Sequence, residues 1–327
     1  MDELRVCKDM SEAVGWTPLL RLQACMQGLD VEAFAKLEYL NPMGSIKDRL
    51  ARFLIDSAIE SGEVRAGDVV VEASSGNTAM GLGMMAAARG LHCRAVVRQQ
   101  TSPEKLDCLR ALGVELVLVD GDLPPDHPES YNRKAIGLAE ESPGVYFPDQ
   151  HNNRLNNEAH YRSTGPEIWR QMRGKIDVLV AGIGTGGTIS GVARYLKEQD
   201  PGIRVVAIDV VGSVFTEHFK SGHHGDPKPY LLEGLGDEEI IGCPEFDLID
   251  EMLQVEDGEA FRVCRELLQS DAVLAGGSSG AALWGVRQIA AAAKPGARIV
   301  TIFPDSGTRY LKTLYNDDWM RHNGFLG

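Results

Sequence analysis

Short apolar runs alternate with longer amphipathic stretches along this chain, and that alternation constrains its fold more than any other feature. The runs 68-DVVVEA-73, 94-RAVVR-98, 115-ELVLV-119, 177-DVLVAG-182, 204-RVVAIDV-210 and 298-RIVTIF-303 have the length and β-branched content of buried strands. Between them, 47–61, 77–89, 103–112, 157–173, 187–199, 257–269 and 279–294 read as helices. Such alternation predicts an α/β fold in which mainly parallel sheets are covered by helices. At 327 residues the chain is long enough for two such domains. The segments 121–130 and 219–239, rich in Pro, Asp and Gly, read as loops, and the crossover between domains is expected near 150–156.

Parallel α/β folds bind ligands where strands end and helices begin. Four such joints here are rich in glycine or hydroxyl side chains. The loop 182-GIGTGGT-188 lets the backbone approach a ligand, and amides at the following helix start attract phosphate. Its Gly182, Gly184 and Gly187, with Asp209 at the end of the next strand, also satisfy the dinucleotide-binding pattern. The loop 72-EASSGNT-78 gathers Ser74, Ser75, Asn77 and Thr78, which suits a carboxylate or, more simply, a helix cap. The loop 276-GGSSG-280 matches the hydrolase pattern G-x-S-x-G, with Asp305 and His322 in the order that a hydrolase would require. Too little chain follows Ser278 for that fold. The last joint, 304-PDSGTRY-310, places Asp305 and Ser306 at a strand end, or is a polar turn.

The segment 41-NPMGSIKDR-49 sets Lys47 at the start of an amphipathic stretch. The positive end of a helix dipole and partial burial both favour a neutral amine there, which Schiff-base chemistry needs. A lone lysine at such a position is more often an exposed helix residue.

Charge and cysteine usage narrow the partners. A formal charge of -14 opposes a nucleic-acid or anionic-membrane surface. No run is long and apolar enough to span a bilayer, and 1-MDELRVCKDM-10 has no apolar signal core, so a cytoplasmic location is expected. The six cysteines stand singly, which predicts neither a metal site nor a disulfide framework.

In their order, NPMGSIKDR, SSGNT, GTGGT, GGSSG and PDSGTRY resemble the fold-type II, tryptophan-synthase-β-like enzymes that use pyridoxal 5′-phosphate (PLP). The likeness runs from about Gly15 to the C-terminus. It is strongest to cystathionine β-synthase catalytic cores, with cysteine synthases and diaminopropionate-forming enzymes also similar. The resemblance implies a mobile domain of 48–152, a larger domain of 1–47 with 153–327, and PLP in the cleft between them. Lys47 would hold the cofactor and act as acid and base at the substrate α-carbon. Gly184, Thr185, Gly186, Gly187 and Thr188 would hold the phosphate, Asn77 the 3′-oxygen and Ser278 the pyridine nitrogen, with Asp305 also at the cofactor. Ser74, Ser75, Thr78 and Gln150 would clamp the substrate carboxylate, and His151, Gly234, Asp237 and Arg98 would line the substrate site. The implied reaction is β-replacement on L-serine or an O-activated serine through an aminoacrylate, giving a β-substituted alanine such as cystathionine or cysteine. A diaminopropionate-type synthase using an amine, a serine/threonine dehydratase and an NAD-dependent oxidoreductase are the alternatives.

The family pattern is broken in a few places. Ala73 and Ser74 replace proline and threonine of the usual PTSGNT. His151 and Asp237 stand where cystathionine β-synthases carry tyrosine, and Arg98 stands where many relatives have proline. Arg98 or His151 would favour an anionic donor such as a phosphate ester, and Asp237 an amine nucleophile. Such enzymes are usually homodimers acting on small amino acids. The short stretch before VGWTPLLRL and the end after NDDWM lead us to expect neither a haem-binding extension nor a C-terminal regulatory domain.

Overall fold

The computed structural model describes residues 6–124, 127–140 and 143–326. Its strands are β1 (Leu19–Arg21), β2 (Val31–Leu37), β3 (Val69–Ala73), β4 (His92–Arg98), β5 (Glu115–Val119), β6 (Val145–Tyr146), β7 (Val178–Gly182), β8 (Arg204–Val210), β9 (Glu251–Val255) and β10 (Ala297–Phe303). The α-helices are α1 (Lys47–Glu60), α2 (Asn77–Arg89), α3 (Pro103–Ala111), α4 (Tyr131–Glu140), α5 (Leu155–Arg162), α6 (Thr164–Gln171), α7 (Gly187–Gln199), α8 (Phe215–Ser221), α9 (Asp257–Asp271), α10 (Gly277–Ala292) and α11 (Asp317–His322).

Two compact units result. The first takes in the described residues up to Gly15 with Asn41–Leu155; the second takes in Trp16–Leu40 with the chain from Asn156 onward. The sequence placed its divisions at 47/48 and 152/153. The segment before Gly15 is tied to the first unit by Arg89, which donates to Asp9 Oδ2 at 3.1 Å and Ser11 Oγ at 3.0 Å.

The first unit is built on a four-stranded sheet in the order β5-β4-β3-β6, all parallel. Its strands are rich in valine, and Val70, Val71, Val96 and Val97 are fully buried. Helices α1 and α2 pack together so closely that a Cβ at Gly81 would stand 3.0 Å from Ala51 Cβ and 3.1 Å from the Lys47 carbonyl oxygen. A side chain where α2 passes the start of α1 would force its neighbours to shift.

The second unit carries a six-stranded sheet in the order β1-β2-β10-β7-β8-β9. It is parallel except for β1, which pairs antiparallel with β2 at the edge. Helix α10 lies over this sheet with Ala281, Leu283 and Val286 buried. Lys36 on β2 is fully buried, and its ammonium donates to Glu167 Oε2 at 2.8 Å, Gln171 Oε1 at 2.9 Å and the Thr17 carbonyl at 2.6 Å. Three acceptors compensate the cost of burying that charge.

All six expected strands form, and helices 77–89 and 187–199 have the expected bounds. The stretch expected as one helix over 157–173 is two, α5 and α6, broken at Ser163, whose backbone is non-helical (φ -125°, ψ -69°) and whose hydroxyl donates to the Ala159 carbonyl. No helix among the described residues is long and apolar enough to cross a membrane.

Candidate active site

In the first unit the expected residues collect at the carboxyl edge of one sheet. Strands β3, β4 and β6 run parallel, so Ser74–Thr78, Arg98 and the turn after β6 lie at the same end. Ser74 Oγ accepts from the Gly76 amide at 3.4 Å and the Ala79 amide at 3.3 Å, so it caps α2. Thr78 Oγ1 donates to Gln150 Oε1 at 2.6 Å, joining the α2 start to the turn after β6. Ser75 Oγ accepts from the Arg98 amide at 3.4 Å, and Ser75 also hydrogen-bonds Tyr131. The Arg98 guanidinium stands over the Tyr131 ring, 4.9 Å from its centroid, which holds an exposed cation in place. Asn77 opens α2, and His151 is half-buried in the turn beside Gln150.

Lys47 begins α1 and is half-buried. Its loop is held by short-range bonds: Gly44 N–H donates to the Asn41 carbonyl at 2.8 Å, Met43 N–H to Asp48 Oδ2 at 2.6 Å, and Lys47 N–H to Ser45 Oγ at 3.2 Å. Asp48 is fully buried, so this bond fixes the turn that presents Lys47.

Glu72, at the end of β3, is a residue that the sequence pattern did not single out. Its Oε1 accepts from the Ala73 amide at 3.0 Å and its Oε2 from the Gln150 amide at 3.3 Å. Burial pushes its carboxyl up to about 8; the two amides pull it down, Asp149 raises it and Lys47 lowers it. A lone acidic residue at a strand end carries no sequence signal of such burial.

The second unit repeats the arrangement at its own sheet edge. The loop after β7 leads into α7, whose first amides have no carbonyl of their own helix to bond. Gly186 has φ +82°, and a Cβ on it would lie 2.7 Å from the Pro244 nitrogen. A Cβ on Gly184 would lie 2.4 Å from the Gly234 carbonyl oxygen. The glycines are thus dictated by space and torsion, and the loop presents amides and the hydroxyls of Thr185 and Thr188. Ser278 is buried in the first turn of α10, whose N-terminus is held at the same edge by the bridge Ala275–Ser306 after β10. Asp305 is buried; its Oδ2 accepts from Tyr310 Oη at 2.7 Å and its carbonyl from the Gly276 amide at 3.0 Å. Asp237 caps its own turn, Oδ1 accepting from the Glu238 amide at 2.8 Å and the Glu239 amide at 3.1 Å.

Two of the competing patterns lose their acidic or basic member. Asp209, the ribose ligand of a dinucleotide reading, is fully buried, and its carboxylate accepts from Thr216 Oγ1 at 2.7 Å, Thr216 N–H at 3.0 Å and Val210 N–H at 2.9 Å. His322 is exposed on α11 whereas Asp305 is engaged by Tyr310, so the hydrolase order of residues builds no triad. Burial pushes the Cys93 and Cys264 thiols up to about 12, away from thiolate chemistry.

Hydroxyl-rich helix N-termini at parallel sheet edges, with a lysine at a helix start, make donor sets suited to anionic ligands. The chain belongs to the family of pyridoxal-phosphate dependent enzymes, whose profile matches residues 10–305. It is 39% identical over 327 residues to cystathionine beta-synthase of Apis mellifera, covering 99% of this chain and 64% of that protein. It is 38% identical over 316 residues to N-(2-amino-2-carboxyethyl)-L-glutamate synthase of Ralstonia nicotianae, covering 96% and 91%. It is 39% identical over 313 residues to O-acetylserine dependent cystathionine beta-synthase of Bacillus subtilis, covering 95% and 99%. The chain spans 58% of the length of the rat cystathionine beta-synthase it matches and 64% of that from Dictyostelium discoideum.

PLP suits the residues present. The 184–188 loop is packed so tightly on Gly234 and Pro244 that Gly184 and Gly186 have no room for a Cβ, and its donors match a phosphate. Ser278 offers a neutral hydroxyl at the positive end of α10, suited to an unprotonated pyridine nitrogen.

Proposed function

We propose that this protein catalyses PLP-dependent β-replacement on L-serine or an O-activated serine, joining a nucleophile to the three-carbon amino-acid unit. The observation that carries this reading is the placement of Lys47 at the start of α1, in the same compact unit as the donor set Ser74, Ser75, Asn77 and Thr78. Bound PLP supplies an electron sink for the bond broken at the α-carbon. Lys47 would hold the cofactor covalently, then take the α-proton and return it. The hydroxyls and amides at the α2 start, with Gln150, would orient the substrate carboxylate. Gly184–Thr188 would fix the phosphate. Ser278, being neutral, leaves the pyridine a weaker electron sink than a carboxylate partner would. That favours prompt loss of a β-leaving group. Arg98 and His151 would face the leaving group, and Gly234 and Asp237 the nucleophile. Asp305 would act on the cofactor through the α10 start, whose Gly276 amide its carbonyl holds.

The name of the Bacillus subtilis relative supports O-acetylserine as donor and cystathionine as product, and that of the Ralstonia nicotianae relative supports an N-linked product, which leaves two nucleophile classes, a thiol and an amine. The family resemblance supports a homodimer in the cytoplasm. Product analysis tests the proposal: serine, O-acetylserine and O-phosphoserine are each supplied with sulfide, homocysteine or an amino acid. A β-substituted alanine is the expected product. Formation of 2-oxo acid and ammonia at the same rate with and without nucleophile identifies a dehydratase and overturns β-replacement.

A further inference from the structure

Both threonines of the 184–188 loop are held from behind by one face of α5. Asn156 Nδ2 donates to Thr185 Oγ1 at 3.0 Å. His160 Nε2 lies 3.2 Å from Thr188 Oγ1, and His160 Nδ1 lies 2.9 Å from Thr164 Oγ1. Asn156 and His160 are four residues apart, so they share a helix face, and both are buried. The fit of α5 against α7 is close: a Cβ on Gly187 would stand 2.1 Å from Asn156 Oδ1, and one on Gly191 would stand 2.9 Å from His160 Cβ. The buried imidazole thus has a threonine hydroxyl oxygen within hydrogen-bond distance of each ring nitrogen.

Chemistry then fixes the direction of these bonds. A phosphate dianion only accepts, so a Thr188 hydroxyl that serves it must donate to it. The Thr188 oxygen is then left to accept from His160, which places the ring proton on Nε2. In a neutral ring Nδ1 is then the acceptor, and the Thr164 hydroxyl donates to it. We propose that His160 is a positioning residue for the phosphate site: held neutral with its proton on Nε2, it aims the Thr188 hydroxyl at the phosphate. The proposal rests on the reading of 184–188 as the phosphate loop. It adds a residue and a tautomer to that reading.

The test exploits side-chain shape. The amide nitrogen of glutamine reaches where His Nε2 stands, and that of asparagine reaches only as far as Nδ1. PLP is titrated into apoenzyme and followed by cofactor fluorescence and by the ³¹P resonance of the bound phosphate. His160→Asn is expected to weaken PLP binding about tenfold or more and to shift that resonance; His160→Gln is expected to stay within about twofold of wild type. Long-range ¹H–¹⁵N spectra of the wild-type holoenzyme are expected to show the Nε2–H tautomer. Equal weakening by both variants, an Nδ1–H tautomer or an imidazolium overturns the inference. The spectrum of the wild type decides the matter even if a variant fails to fold. A wild-type chain that takes up no PLP, or a Thr188→Ala variant that binds it as tightly as wild type, overturns the phosphate-loop reading itself.

Discussion

The Gln150 amide donates to Glu72 Oε2 at 3.3 Å, so a buried acid at the end of β3 sets the backbone of the turn whose side chain receives the Thr78 hydroxyl. Cys93, Tyr131 and Tyr146 sense the Glu72 charge, and Glu72 in turn senses Asp149 and Lys47. Its carboxyl titrates near 8 in the folded chain against an ordinary value of 4.5. A raised acid binds its proton more tightly when folded. The stability this contributes is present below pH 4.5 and is lost as pH rises towards about 8. The thermal midpoint of wild type should therefore fall across that window more steeply than that of Glu72→Gln. Parallel midpoint profiles would remove Glu72 from the account.

Gly186 should not tolerate a side chain. Its φ of +82° and the crowding against Pro244 predict that Gly186→Ala destabilises the chain by about 1–3 kcal/mol. Chemical denaturation measures this, and PLP retention on gel filtration should fall in step. A variant as stable as wild type would show that the loop can shift.

The cation held over Tyr131 predicts donor selectivity. Arg98→Ala should lower kcat/KM for O-phosphoserine about tenfold and change that for O-acetylserine by less than about twofold, because only the former offers a dianion. Equal losses for both donors would make Arg98 a structural residue.

Asp237 serves its own turn with Oδ1, and an asparagine oxygen can do the same. Asp237→Asn thus removes charge and keeps the cap. The expected result is a KM for an amine nucleophile raised about fivefold, with little change for a thiol, since a charged hydrogen bond becomes a neutral one. Equal KM values for the amine in wild type and variant would detach Asp237 from the nucleophile.

Much of this architecture is legible in sequence because valine-rich runs and helical periodicity are strong, local signals. Strands β1, β2, β6 and β9 escape that reading. Residues Glu32 and Lys36 interrupt β2, and β6 spans only Val145–Tyr146. Lys36 reads as a surface residue until Glu167, far along the chain, is seen beside it. The candidate loops were visible as glycine-rich strand-to-helix joints. What stands behind them was not: Glu72, Asn156 and His160 act through contacts made only when distant segments fold together. The spacing of Asn156 and His160 on α5 was the one available hint, and it means nothing until α7 is known to pack there.

The central claim is that Lys47 carries the cofactor. Borohydride reduction of the purified protein, followed by peptide mass mapping, tests it most directly. The account predicts a single pyridoxyl adduct, on the peptide containing Lys47, and its loss in Lys47→Ala. An adduct on another lysine, or none after incubation with saturating PLP, would contradict it.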